Sequence, residues 1–175
     1  ENAKNSYAKI TEYFTLFASV AAFAIIANIE KKKKLFITDA SYWTAIDIVP
    51  IIIIANLCFG IYYNLSTWYK VTDRTQIGTV ISWSGAIITI VLNLLLLKEY
   101  GFMVSAWATL AAYLFMMVLS YFLGQKYYPI PYKTGKMVMV LLLLVAFSYI
   151  SYYVFDANFW IGNVLLLLFV GILVF

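Results

Sequence analysis

The chain has 175 residues, of which 65% are hydrophobic and 19% aromatic, while only 11% carry charge; an ordinary soluble domain carries roughly 25%. A net charge of +4 dispersed over separate connections offers a nucleic-acid duplex no stripe to follow. The absence of histidine excludes a His-based metal centre or general base within these residues, and the single cysteine, Cys58, excludes an internal disulfide.

Six apolar stretches follow one another: Tyr13–Ile29, Thr44–Tyr63, Ile77–Leu97, Phe102–Leu123, Met137–Phe155 and Phe159–Phe175. Each approaches the ~20 residues that carry a helix across ~30 Å of hydrocarbon. Asp47 is the only charged side chain inside a stretch rather than at its edge. Such segregation is expected where an unpaired charge at mid-bilayer costs at least ~2.5 kcal/mol. The expected fold is therefore all-α, a polytopic transmembrane bundle of about six spans. Runs such as "IVPIIIIANL" lack the alternation of a β-barrel strand. They are also apolar all round, unlike the helices of a soluble bundle.

A polar dozen, "ENAKNSYAKITE", precedes the first span and no small-residue cleavage site follows it, so that stretch is expected to be a span rather than a signal peptide. The chain lacks an initial Met and stops inside "LLLLFVGILVF", so a fragment of a longer protein is expected. Asp47 and Pro50 open the second span, where a carboxylate beside a proline kink suggests a hinge or coupling element. "GIYYNLSTWYKVTDRTQIG" then separates the second and third spans. Its Tyr62, Tyr63, Trp68 and Tyr69 read as an interfacial aromatic belt, and Asp73 or Thr75 as the N-cap of the next helix. Lys70 and Arg74, with Asn64 nearby, form a cationic lip able to receive phosphate.

The third span carries Gly78, Ser82, Ala86, Thr89 and Asn93 on one face, and the fourth repeats the pattern with Ser105, Thr109, Ala112, Met116 and Ser120. Such stripes serve close helix packing or line a wet cavity. Asn93 and Ser82 are the candidates for substrate contact. "KEYG" and "DAN" are short enough to make tight hairpins, and "GQKYYPIPYKTGK" joins the fourth and fifth spans. Lys and Arg number seven on the N-terminal side of the membrane and five on the other, where Lys31 to Lys34 cluster. The positive-inside rule gives the N-terminus a thin majority for the cytoplasm. No Gly-rich phosphate loop, HExxH or nucleophile–base pair is present, so neither an enzyme, a metal site nor a cofactor is expected.

Residues 42–132, with "GIYYNLSTWYKVTDRT", "SAWATLAAY" and "YYPIPY", resemble the C-terminal half of polysaccharide biosynthesis proteins. These are oligosaccharide flippases of the O-antigen type, in the multidrug/oligosaccharidyl-lipid/polysaccharide exporter superfamily. The resemblance implies a fragment of a 12–14-helix transporter. Residues 1–126 would contribute four helices to its C-terminal lobe, and 127–175 two additional helices. It further implies export of an undecaprenyl-diphosphate-linked glycan across a bacterial inner membrane. The lipid-linked oligosaccharide, the bilayer and other glycan-assembly membrane proteins would be partners. A drug:cation antiporter of the same superfamily is the nearest rival, and a membrane enzyme of glycan assembly a second.

Overall fold

The computed structural model describes residues 2–29, 46–155 and 158–174. These are all-helical, about 90% helix with no strand among them. Five helices are long and apolar enough to cross a membrane, and a sixth apolar helix is shorter. The chain is a multi-pass membrane protein by that criterion. The Lys31–Lys34 run, Tyr42 and Trp43 lie outside the described residues, as do Asp156 and Ala157 of "DAN".

Helix α1 spans Asn2–Ala27, α2 Val49–Leu65, α3 Thr67–Val71, α4 Thr75–Tyr100, α5 Met103–Tyr127, α6 Thr134–Tyr149 and α7 Phe159–Val174. Several boundaries differ from the apolar stretches, because helices run through polar ends that hydropathy excludes. The polar dozen at the N-terminus is helical: Ser6 Oγ donates to the Asn2 carbonyl at 3.0 Å and Thr11 Oγ1 to that of Tyr7 at 2.9 Å. Hydroxyls that bond back one turn cover the carbonyls a polar segment would otherwise expose. The extension places Glu12, a buried carboxylate, within the α1 span. "KEYG" is helical to Tyr100, so the α4–α5 connection is only Gly101 and Phe102. Helix α6 passes into a π-helical turn at Ile150–Val154. Asn158 Oδ1 caps α7 by accepting the amide N–H of Trp160 at 3.0 Å.

Two compact units emerge, Glu1–Tyr13 with Ile54–Tyr132, and Phe14–Ile53 with Lys133–Phe175. The core of the first gathers Tyr62, Ile81 and Met116, with Ile77, Tyr113 and Leu123 around them. A second cluster holds Ala8, Trp68, Tyr69 and Ile130. Helices α4 and α5 form its hairpin, in which Gly78 faces the Tyr69 ring and Gly85 faces Met116. The buried face of α4 is therefore Gly78, Ile81 and Gly85. Ser82 and Ala86 of the expected stripe are exposed. Glycine wins because only the missing Cβ lets a large neighbour in. On α5 the expected Ala112, Met116 and Ser120 are buried, and Ser105 is exposed.

In the second unit, Phe23 packs edge-on against Phe147 and Phe169, with centroids 6.0 and 5.4 Å away. Gly162 lies against the Ala27 carbonyl, where a Cβ would stand 2.8 Å from the oxygen. Asn28 and Asn163 face one another beside this crossing, amide to amide at 3.4–3.5 Å.

Candidate functional site

Local chain geometry builds a cationic, aromatic end on the first unit. After the single turn of α3, Asp73 adopts φ 54, and the Arg74 N–H donates back to the Tyr69 carbonyl at 2.8 Å. This is a Schellman-type stop, with Asp in the left-handed position that Gly usually fills. Neither Asp73 nor Thr75 caps α4, as the sequence suggests; Arg74 occupies the N-cap and no side-chain cap bond forms. The same turn that ends α3 thus fixes where Arg74 starts.

Four cations converge on tyrosine rings at this end. Lys70 Nζ stands 4.2 Å from the Tyr63 ring centroid, and Lys4 Nζ 4.1 Å from that of Tyr128. The Arg74 guanidinium carbon lies 4.5 Å from the centre of Tyr127, and Lys126 Nζ 5.6 Å from the same ring. Cation–π contacts of this kind contribute about 0.5–1 kcal/mol when exposed. Among the described residues no carboxylate forms a salt bridge with Lys70, Arg74 or Lys126. Their charge is oriented without being neutralised.

Tyr127 is itself held. Its ring stacks on Trp68 at 5.8 Å with an 18° interplanar angle. Trp68 is buried, donates its indole N–H to the Ser120 carbonyl at 3.1 Å, and fills the space left by Gly124. Trp68, Tyr62 and Tyr69 are thus core residues, in contrast to the belt expected of them, while Tyr63 is exposed. A buried ring with a satisfied polar atom belongs to the protein interior. Behind them the Tyr62 hydroxyl lies 3.3 Å from both the Tyr69 hydroxyl and Ser82 Oγ. In the following connection, burial pushes the Tyr132 phenol up to about 12, opposed weakly by the Thr11 hydroxyl.

Lys70 at the end of α3 and Arg74 at the start of α4 thus flank the Asp73 turn, each on its own tyrosine ring, and Asn64 lies near the end of α2. Asn64 spends its amide on the Gly60 carbonyl at 2.9 Å. Asn93 lies eleven residues beyond Ser82, about 16 Å along α4. There it donates to the Thr89 carbonyl at 2.8 Å and accepts from Ser105 Oγ at 2.6 Å, tying α4 to α5. Asp47 and Pro50 belong to the other unit. Asp47 accepts a 2.5 Å hydrogen bond from the Tyr152 hydroxyl in the π turn. Pro50 stands in the first turn of α2, where its missing N–H costs no helical hydrogen bond.

Sequence reasoning missed Tyr127 as the ring that Arg74 and Lys126 share, and it missed Glu12. The adjacent Lys126–Tyr127 pair two residues after Gly124 was the available signal. A groove of about 650 Å³ also lies between α4 and α5, lined by apolar side chains including Leu92, Leu96, Met103 and Trp107. Comparison with protein families, with curated proteins and with solved structures finds no match for this chain.

Proposed function

We propose that the chain serves the export of a lipid-linked oligosaccharide, an undecaprenyl-diphosphate glycan, from the cytoplasmic to the periplasmic leaflet of a bacterial inner membrane. The reading joins the motif resemblance of residues 42–132 to one observation. Lys70 and Arg74 stand unneutralised at one end of membrane-spanning helices. A sugar head cannot enter hydrocarbon, so its carrier must offer a polar path while the lipid tail stays in the bilayer. Two lobes rocking about such a path give alternating access. The cations at the entrance neutralise the diphosphate as it arrives.

The test replaces Lys70 and Arg74 together with Ala. In cells that make the glycan, lipid-linked repeat units should accumulate on the inner leaflet. Normal export by a double variant present at wild-type amount contradicts the reading.

Glu12 favours the antiporter as a second reading, because a buried carboxylate inside a span is the group that proton or sodium coupling needs. Cation-driven efflux lost in Glu12→Gln, with glycan export unaffected, selects it.

A further inference from the structure

We infer that the end of the first unit around Tyr127 binds the phosphate headgroup of an anionic membrane lipid, Arg74 and Lys126 holding the phosphate and the exposed apolar face of α5 taking the lipid chain. The inference names the class of ligand within the export reading, on which it rests for the claim that such a lipid is cargo. Binding itself is separable from export.

The headgroup half follows from how the two cations are presented. Both converge on the Tyr127 ring. A guanidinium whose carbon lies 4.5 Å from a ring centre still has N–H donors directed away from that ring, and two of them can grip a phosphate through parallel hydrogen bonds. Among the described residues no side chain or carbonyl takes those donors from Arg74. The platform is rigid on both sides. Asp73 and the Arg74-to-Tyr69 bond fix the main chain under Arg74, while Trp68 and Gly124 fix Tyr127. Loss of side-chain freedom has thus been met during folding rather than at binding.

The choice of a lipid over a soluble phosphate follows from what lies beneath. Counting back from Lys126, α5 places Phe122, Val118 and Phe115 at intervals of four, four and three residues. That spacing puts them on the helix face that carries Lys126. All three are exposed, Phe122 at 64%. A cation above an exposed apolar stripe on a membrane-spanning helix matches an amphiphile with a phosphate at its head. Inorganic phosphate would use the upper half alone.

The full chain, purified in a neutral detergent, is examined by native mass spectrometry with phosphatidylglycerol, phosphatidylcholine and inorganic pyrophosphate as probes. Phosphatidylglycerol should be retained in preference to phosphatidylcholine. The Arg74→Gln/Lys126→Gln double variant should hold it about thirtyfold more weakly, the effect of two interfacial charges. Arg74→Lys, which keeps the charge and loses the planar fork, should still bind several-fold more weakly. Phe122→Ser should weaken lipid retention as well, whereas Lys98→Gln, at the other end of α4, should retain it fully. Thermal melts identify any variant that fails to fold, and Arg74→Lys then decides. Unchanged phosphatidylglycerol binding in both Arg74 variants overturns the site. Full displacement by pyrophosphate, with no effect of Phe122→Ser, overturns the lipid and leaves a site for free phosphate. Lost binding with intact export keeps the lipid site and rejects that lipid as cargo, whereas intact binding with lost export in the same variants overturns the site and leaves the export reading standing.

Discussion

Trp68 lies so close to the backbone of Gly124 that a Cβ at that glycine would stand 2.8 Å from the indole Cδ1. The indole is buried, bonded to the Ser120 carbonyl and stacked on Tyr127, so it has no free direction in which to retreat. Packing on one helix thereby sets the position of an aromatic ring that two cations share.

Gly124→Ala should therefore destabilise the protein in spite of better helix propensity. Overpacking typically costs about 1–3 kcal/mol, and the Gly-to-Ala gain within a helix is about 1 kcal/mol. Gly85→Ala provides the contrast, because it meets Sδ and Cγ of Met116, an unbranched side chain with three rotatable bonds that can re-pack more readily than an indole. Unfolding in detergent should show Gly124→Ala as the weaker of the two. Equal stability of both variants would mean that Trp68 is not wedged.

Gly101 and Asp73 test backbone conformation without packing. Gly101 has φ 67 and ψ −162, a region open essentially to glycine, and nothing lies within 4 Å of where its Cβ would be. Gly101→Ala should cost about 1–3 kcal/mol through strain alone. At Asp73, with φ 54, Gly should be tolerated or mildly stabilising, while Val should cost about 1–2 kcal/mol. Melting temperatures ordered Gly, Asp, Val from high to low support the turn. The reverse order contradicts it.

Asn93 and Ser105 should behave as a packing pair rather than as substrate ligands. Their 2.6 Å bond joins α4 to α5 near the hairpin, and both Asn93 polar groups are engaged. A double-mutant cycle of Asn93→Ala and Ser105→Ala should give a coupling of about 0.6 kcal/mol, typical of such bonds between membrane helices. Export should follow stability. A loss of transport in Asn93→Ala with unchanged melting would return Asn93 to the substrate path.

Tyr132 gives a pH dependence with a definite sign. Its phenol is raised to about 12 by burial, whereas an unfolded tyrosine ionises near about 10. Between those values the unfolded chain loses a proton that the folded chain keeps. Stability from this group is complete below about pH 10 and falls as pH rises toward 12. Tyr132→Phe should show a shallower alkaline decline than the parent. Identical alkaline slopes would place the hydroxyl in water.

Hydropathy made the spans legible because bilayer insertion acts on composition, and a single apolar run is enough to show it. Helix ends were less legible. Polar residues at Asn2–Glu12 and Lys98–Tyr100 are as helical as their apolar neighbours, since backbone bonds hold them whatever the polarity of their side chains. That Lys70 and Arg74 flank one turn could be seen from a four-residue separation. Their tyrosine partners could not, because Tyr127 joins Arg74 across more than fifty residues of chain. The belt expectation failed for Trp68 and Tyr69 for the same reason. An aromatic residue near a span end reads alike whether it faces headgroups or, as here, a glycine on another helix.

The account depends most on the antiparallel crossing of the bilayer by α4 and α5, and labelling of single cysteines measures it. In a Cys58→Ser chain within sealed vesicles, cysteines are placed singly at Asp73, Phe102 and Pro129 and treated with an impermeant thiol reagent. The account predicts that Asp73 and Pro129 react from one side and Phe102 from the other. Reaction of all three from the same side would contradict it.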